Sequence, residues 1–263
     1  MPGRLKQDEP AEGVLRLTIS HPARRGALDV AILEALADAV AGAPGRGVRC
    51  LLLTGEDGTF SSGYDLGVLA GEATGEDAEE RVARPFTAAL AALDACDLPV
   101  VAALGGHTVG GGLELALACD LRVAARGIRL AMPPAKLGLI YAPSGLRRFV
   151  DVVGVARTRE LFLLGRPVEA DAALAWGLVH AVVEGDALED AALDWARELA
   201  GNAPLSVHGT KRVLRALLAA EGELAPAQEE ELRELRRACF ASEDFREGVR
   251  AFAERRPARW KGA

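Results

Sequence analysis

A chain of 263 residues, half of them hydrophobic, is long enough to bury one large core or a core with an appendage, and it reads as a globular protein. Its 31 Lys and Arg stand against 38 Asp and Glu, a net charge of -7, which argues against a nucleic-acid or anionic-membrane surface because neutralising phosphates needs clustered, unopposed cations. The polar start "MPGRLKQDEPAEG" holds no apolar signal-like segment and no run reaches the ~18 apolar residues of a membrane span, so a cytoplasmic protein is expected.

Taken in chain order, β-like runs alternate with segments of helical period. "VLRLTIS" (14–20) reads as a strand, "DVAILEALADAVA" (29–41) as a helix, and "VRCLLLTG" (48–55) as a second strand. The acidic, small-residue stretch 69–84 has no clear period and is expected to be a mobile surface loop entering a helix over 84–96. "LPVVAALGG" (98–106) and "LRVAA" (121–125) complete an α/β core. Beyond about position 185 the strand signals stop, and four amphipathic helical segments follow, several punctuated by Gly or Pro. The chain is therefore divided into an α/β core over 1–200 and a helical section over 201–263. Cys50, Cys96, Cys119 and Cys239 show no C-x-x-C spacing and are expected as buried free thiols.

Two glycine-bearing turns follow strands. "GGHTVGGGLELALACD" (105–120) leads from a strand into a helix whose first backbone N–H groups lack internal partners. It lacks the G-K-[ST] ending of a P-loop and does not fit G-x-G-x-x-G, so nucleotide binding by either mechanism is not expected. "VRCLLLTGEDGTFSSGYDL" has the same build, with Asp65 as a candidate helix cap. Should the N–H groups of Tyr64 and Gly111 converge, they would hold an oxygen that turns negative during reaction. Glycines used for packing alone are the alternative.

"LLLTGEDGTFSSGYDL", "LPVVAALGGHTVGGGLELALACDLRVAA", "ARTRELFLLGRPVEADAALAWGLVHAVV" and "SEDFREGVRAFAERRPARW", in this order, resemble the crotonase (enoyl-CoA hydratase/isomerase) family from about residue 14 to 260. The resemblance implies an α/β spiral of ββα units with a helical C-terminal trimerisation section, and a homotrimer or a hexamer built as a dimer of trimers. It implies an acyl-CoA thioester as substrate, whose coenzyme A needs no separate cofactor. It places the oxyanion-hole amides on Tyr64 and Gly111, a CoA contact at the Ser62 loop, and a C-terminal aromatic of a neighbouring subunit, Phe252, over the same group.

One departure bears on the chemistry. The family's hydratases place two glutamates around one water; the first matches Glu114, but Pro134 stands at the second, in "LAMPPAKLGLIYAPSGLRRF", and proline offers neither a proton nor an N–H. Tyr141 stands where hydratases usually carry a proline. Together these look like the methylmalonyl-CoA decarboxylase branch, although that branch carries a histidine where this chain has Tyr64. Loss of CO₂ from a malonyl-type thioester yields the enolate directly, with Tyr141 or Glu114 as proton donor. Four readings follow: decarboxylation of a short alkylmalonyl-CoA, slightly ahead; hydration by Glu114 alone; isomerisation; and a non-catalytic acyl-CoA-binding subunit.

Other polar residues receive structural readings. His21, His107, His180 and His208 show no metal spacing, so no metal is expected. Ser144 has no visible His/Asp partner and reads as a turn residue. Asp120 reads as an anchor, and Arg24 and Arg25 as a solvated pair that could otherwise meet CoA phosphates.

Overall fold

The computed structural model describes residues 2–64, 76–137 and 141–220, with 226–228, 230, 231, 238, 242–244, 247, 251, 254, 256 and 259–263, and of 76–82 and 137 the backbone alone. Among the described residues the main sheet has six strands. β2 (Val14–Ser20), β3 (Cys50–Gly55), β4 (Val100–Leu104), β6 (Leu121–Ala125) and β9 (Ala181–Val183) lie parallel in that spatial order. All five residues of β4 are buried, as a parallel strand covered on both faces must be, which is why it reads as an unbroken apolar run. Beside β2, β1 (Arg4–Ala11) pairs antiparallel, Leu5 opposite Ile19. The polar start gives no sign of this strand: it lies on the sheet edge with no residue fully buried, so it carries charges and Pro10 where an inner strand would be apolar.

A second sheet joins β5 (Thr108–Val109), β7 (Arg129–Ala131) and β8 (Val168–Glu169). Helix α1 (Val30–Gly42) begins as expected, with the Asp29 carboxylate accepting from Ile32 N at 2.9 Å, and it buries Ile32, Leu33, Leu36, Ala39 and Val40 along one stripe. α2 (Glu76–Ala95) starts earlier than the expected loop over 69–84 allows. Its backbone is helical from 76, because Glu, Ala and Arg favour a helix even where no apolar period announces it. Positions 69–75, Asp65 and Cys239 lie outside the described residues.

Further helices among the described residues are α3 (Gly111–Leu117), α4 (Pro143–Arg159), α5 (Ala170–Ala175), α6 (Leu188–Gly201) and α7 (Pro204–Ala219). α7 is tied to the core by Lys211, whose Nζ donates to Asp120 Oδ2 at 2.7 Å and to the Leu98 carbonyl at 2.9 Å. Asp120 also accepts from Val100 N, so its expected anchoring role is met. Cys50, Cys96 and Cys119 are buried and free, and burial pushes the Cys50 and Cys119 thiols up to about 12. Among the described residues no helix is long and apolar enough to cross a membrane.

α3 is short, and its C-terminal end is held by a buried cation. Arg122, 4% exposed, donates through Nη1 to Cys119 O at 2.7 Å and through Nε to Leu178 O at 2.8 Å. The guanidinium thus sits on the negative pole of α3 and satisfies carbonyls that no backbone N–H of the described residues reaches. Arg122→Met is expected to lower stability by about 2–4 kcal/mol, because it leaves those carbonyls buried and unpaired. Urea denaturation measures this, and a loss below ~1 kcal/mol would show that water replaces the guanidinium.

Candidate active site

The two glycine turns lie side by side. Ser61 N donates to His107 O at 2.7 Å and Val109 N to Ser61 O at 3.0 Å, a one-residue parallel bridge that sets Ser61 against Thr108. On the other flank, Leu28 N donates to Gly63 O at 2.8 Å. A carbonyl and the N–H that follows it point in opposite directions across a trans peptide, so the Tyr64 N–H faces away from Leu28. Gly110 O accepts from Glu114 N at 3.1 Å within the helix, so the Gly111 N–H points out of the α3 N-terminus.

The approach of the two turns is close enough to demand glycine. A Cβ on Gly63 would lie 2.7 Å from Val109 O and 3.2 Å from Gly111 N, and Gly63 has φ +91°, a conformation L side chains rarely adopt. The structure therefore brings the main chain at 63–64 against that at 109–111, the two segments whose convergence the sequence left open.

Glu114 stands three residues into α3 from Gly111, on the same face of the helix. It is 4% exposed, and the Tyr141 hydroxyl donates to its Oε2. The first turn of α4 closes over the pair: a Cβ on Gly145 would lie 2.9 Å from Glu114 Oε1 and 2.5 Å from Tyr141 Cε1. Burial raises the Glu114 pKa above the ordinary carboxylate value, against the opposing pull of the Tyr141 hydrogen bond and the Arg148 charge. Arg148 in turn grips Asp94 with two bonds of 2.9 and 2.7 Å. Burial and the charge of Glu114 hold the Tyr141 phenol far above its usual range, so it remains a proton-bearing donor. Its ring meets Phe162 edge-on at 5.4 Å. The Tyr141 ring is thus packed and its hydroxyl satisfied by Glu114.

The other expected residues are placed as follows. Pro134 begins a single 3-10 turn, Pro134–Leu137, and is buried. Ser62 Oγ donates to Arg24 O at 2.9 Å, joining its loop to the 24–25 turn. Phe252 lies outside the described residues. Among the described residues no group of His, Cys, Asp or Glu could hold a metal ion. His21 Nδ1 meets Ala27 O at 3.1 Å and His180 Nδ1 accepts from Arg122 N at 3.2 Å, both structural uses of a ring nitrogen. Ser144 lies exposed in the first turn of α4, and the chain carbonyl of His107, whose side chain is exposed, serves the Ser61 bridge.

Sequence reasoning missed the Tyr64 ring, Phe86, Arg148 and the tight fit at Gly145. Gly145 sits in "APSGL" and could have been flagged as a third glycine near a proton donor; Phe86 and Arg148 carry no local signal. The Tyr64 ring lies over Gly111 and meets Phe86 edge-on at 4.6 Å.

The model of the enoyl-CoA hydratase/isomerase family matches residues 9–263. Over 257 residues the chain is 34% identical to a protein named as a probable enoyl-CoA hydratase from Mycobacterium leprae, covering 96% of this chain and 98% of the relative. It is 36% identical over 223 residues to carnitinyl-CoA dehydratase of Citrobacter koseri, 82% of each chain. Among solved structures, an enoyl-CoA hydratase/isomerase family protein from Hyphomonas neptunium superposes with a TM-score of 0.88 at 35% identity, covering 98% of both chains.

Proposed function

The chain belongs to the enoyl-CoA hydratase/isomerase family and has the crotonase fold, and from that premise we propose that it stabilises the enolate of an acyl-CoA thioester while water adds to, or leaves, the adjacent carbon pair. The observation that supports this best is the contact of the Gly63–Tyr64 and Gly111 main chains with a buried, Tyr141-bonded Glu114 one helical turn further on.

The thioester oxygen is received by the Tyr64 and Gly111 N–H groups, which favour the state in which it carries charge over the neutral ground state. Each such donor is worth roughly 2.7–4 kcal/mol in a dry site. In the hydration direction the Glu114 carboxylate takes a proton from water as the oxygen bonds to C3. The C2–C3 electron pair moves to the thioester oxygen, and as the enolate collapses C2 takes the proton back from Glu114. One carboxyl group relays one proton, so no second glutamate is required. Tyr141 holds Oε2 and leaves Oε1 to carry the proton. Coenzyme A enters as part of the substrate, with the Ser62 loop and Phe252 of a neighbouring subunit as its contacts. Assembly as a homotrimer or a dimer of trimers belongs to the same reading; Leu214, Leu217 and Leu218 of α7, each more than half exposed, are consistent with a covered face.

A second reading, decarboxylation of a short alkylmalonyl-CoA, is favoured by Pro134, which offers neither a carboxyl group nor an N–H. There the bond to CO₂ breaks, its electron pair forms the enolate, and Tyr141 or Glu114 protonates C2.

Incubation with crotonyl-CoA and with methylmalonyl-CoA separates the two. Loss of the enoyl absorbance is expected with the first. Release of CO₂ from the second without hydration of the first selects decarboxylation. Turnover of neither, with thioester binding retained, overturns both and leaves a binding subunit.

A further inference from the structure

Tyr64 brings more than its main chain to the site. Its Cε2 and Cδ2 lie 3.2 and 3.3 Å from the position a Gly111 Cβ would take, so the ring edge rests directly on the first residue of α3. Gly111 and Glu114 share one face of that helix, so the ring rests on the residue one helical turn before the carboxyl group. Phe86, meeting the ring edge-on at 4.6 Å and 62°, fixes its plane. Tyr64 is half-buried and its hydroxyl has no hydrogen-bond partner among the described residues, whereas the Tyr141 hydroxyl is committed to Glu114. Burial and the charge of Glu114 raise the Tyr64 phenol, and Tyr64 in turn raises Tyr141, which puts the three groups within electrostatic reach of one another.

We propose that Tyr64 is a specificity-determining residue whose hydroxyl donates a hydrogen bond to an oxygen carried on C3 of the acyl group. The inference rests on the reading of the site as acting on acyl-CoA thioesters. With Glu114 handling the proton, the oxygen on C3 needs a second contact to hold it, and the position that supplies one in two-glutamate hydratases is here Pro134. A phenol resting on the Glu114 helix, with no partner among the described residues, meets that need, and it selects 3-hydroxyacyl thioesters over their deoxy counterparts, because a donor left facing a methylene loses its partner.

Tyr64→Phe keeps the amide, the ring and the contact with Phe86, and removes only the hydroxyl. Isothermal titration compares 3-hydroxybutyryl-CoA with butyryl-CoA on the wild-type protein and on the variant. The wild type is expected to bind the hydroxylated ligand about tenfold more tightly, the size of one neutral hydrogen bond. Tyr64→Phe is expected to bring the ratio to about one while butyryl-CoA affinity stays within about twofold. An unchanged ratio in the variant, equal affinities in the wild type, or an equal loss for both ligands overturns the proposal. Binding of neither ligand by the wild type overturns the acyl-CoA reading and this inference with it. Thermal melting reports on folding, and Tyr64→Leu carries the same comparison should the first variant melt early.

Discussion

Glu114→Gln lowers kcat on the preferred thioester by about 10²–10⁴-fold, the range a positioned acid or base supplies, with little change in thioester affinity. Glutamine keeps the volume and can still accept from Tyr141, so the loss reports the missing proton carrier. A kcat within about threefold of wild type would remove Glu114 from the chemistry. The pH dependence has a definite sign. Burial raises the Glu114 pKa, so the carboxylate needed to take a proton from water is lost on acidification at a pH above the ordinary carboxylate range, and the acidic limb of kcat moves up accordingly. Stability runs the other way. With the folded pKa above the unfolded one, the contribution is fully present below the unfolded pKa and is lost as pH rises through the folded value. The Gln variant is therefore expected to gain in melting temperature over wild type near pH 8, and the gap to shrink toward about pH 3, where both states hold the proton.

Gly63→Ala reduces kcat by about 10²–10³-fold, the loss associated with one misplaced oxyanion donor. The new methyl group would stand 2.7 Å from Val109 O and 3.2 Å from Gly111 N, so the two turns must part. They cannot part without stretching the Ser61 bonds to His107 and Val109. The separation of the Tyr64 and Gly111 amides is what changes. Strain at positive φ also costs stability, and Gly58→Ala isolates that component: Gly58 has φ +66°, yet a Cβ there meets nothing within 4 Å. Gly58→Ala is expected to melt lower with kcat unchanged. Equal kinetic losses in both variants would mean that the close approach at Gly63 has no part in turnover.

Much of the site was readable from the chain. The apolar runs that become β2, β3, β4 and β6 announce themselves because parallel strands buried on both faces need nothing but apolar residues. Glu114 and Tyr141 stood out because each sits in a glycine- or proline-marked turn whose order along the chain resembles a known family. β1 did not, since an edge strand is stabilised by its one neighbour and tolerates a polar sequence. The helical start of α2 was hidden for a related reason: favourable backbone propensity without an apolar stripe leaves no period to detect.

Local sequence determined which backbone groups could be donors, which residue could carry a proton, and that Pro134 could not. Only the tertiary structure decided that Gly63 lies against Gly111, that the Tyr141 hydroxyl is spent on Glu114 while that of Tyr64 is not, and that Arg148 is held by Asp94. The reason is that a glycine or a phenol states what it can tolerate or donate, but which partner it meets depends on distant strands being packed into register. That is a property of the whole sheet and its helices, and of no stretch of chain within it.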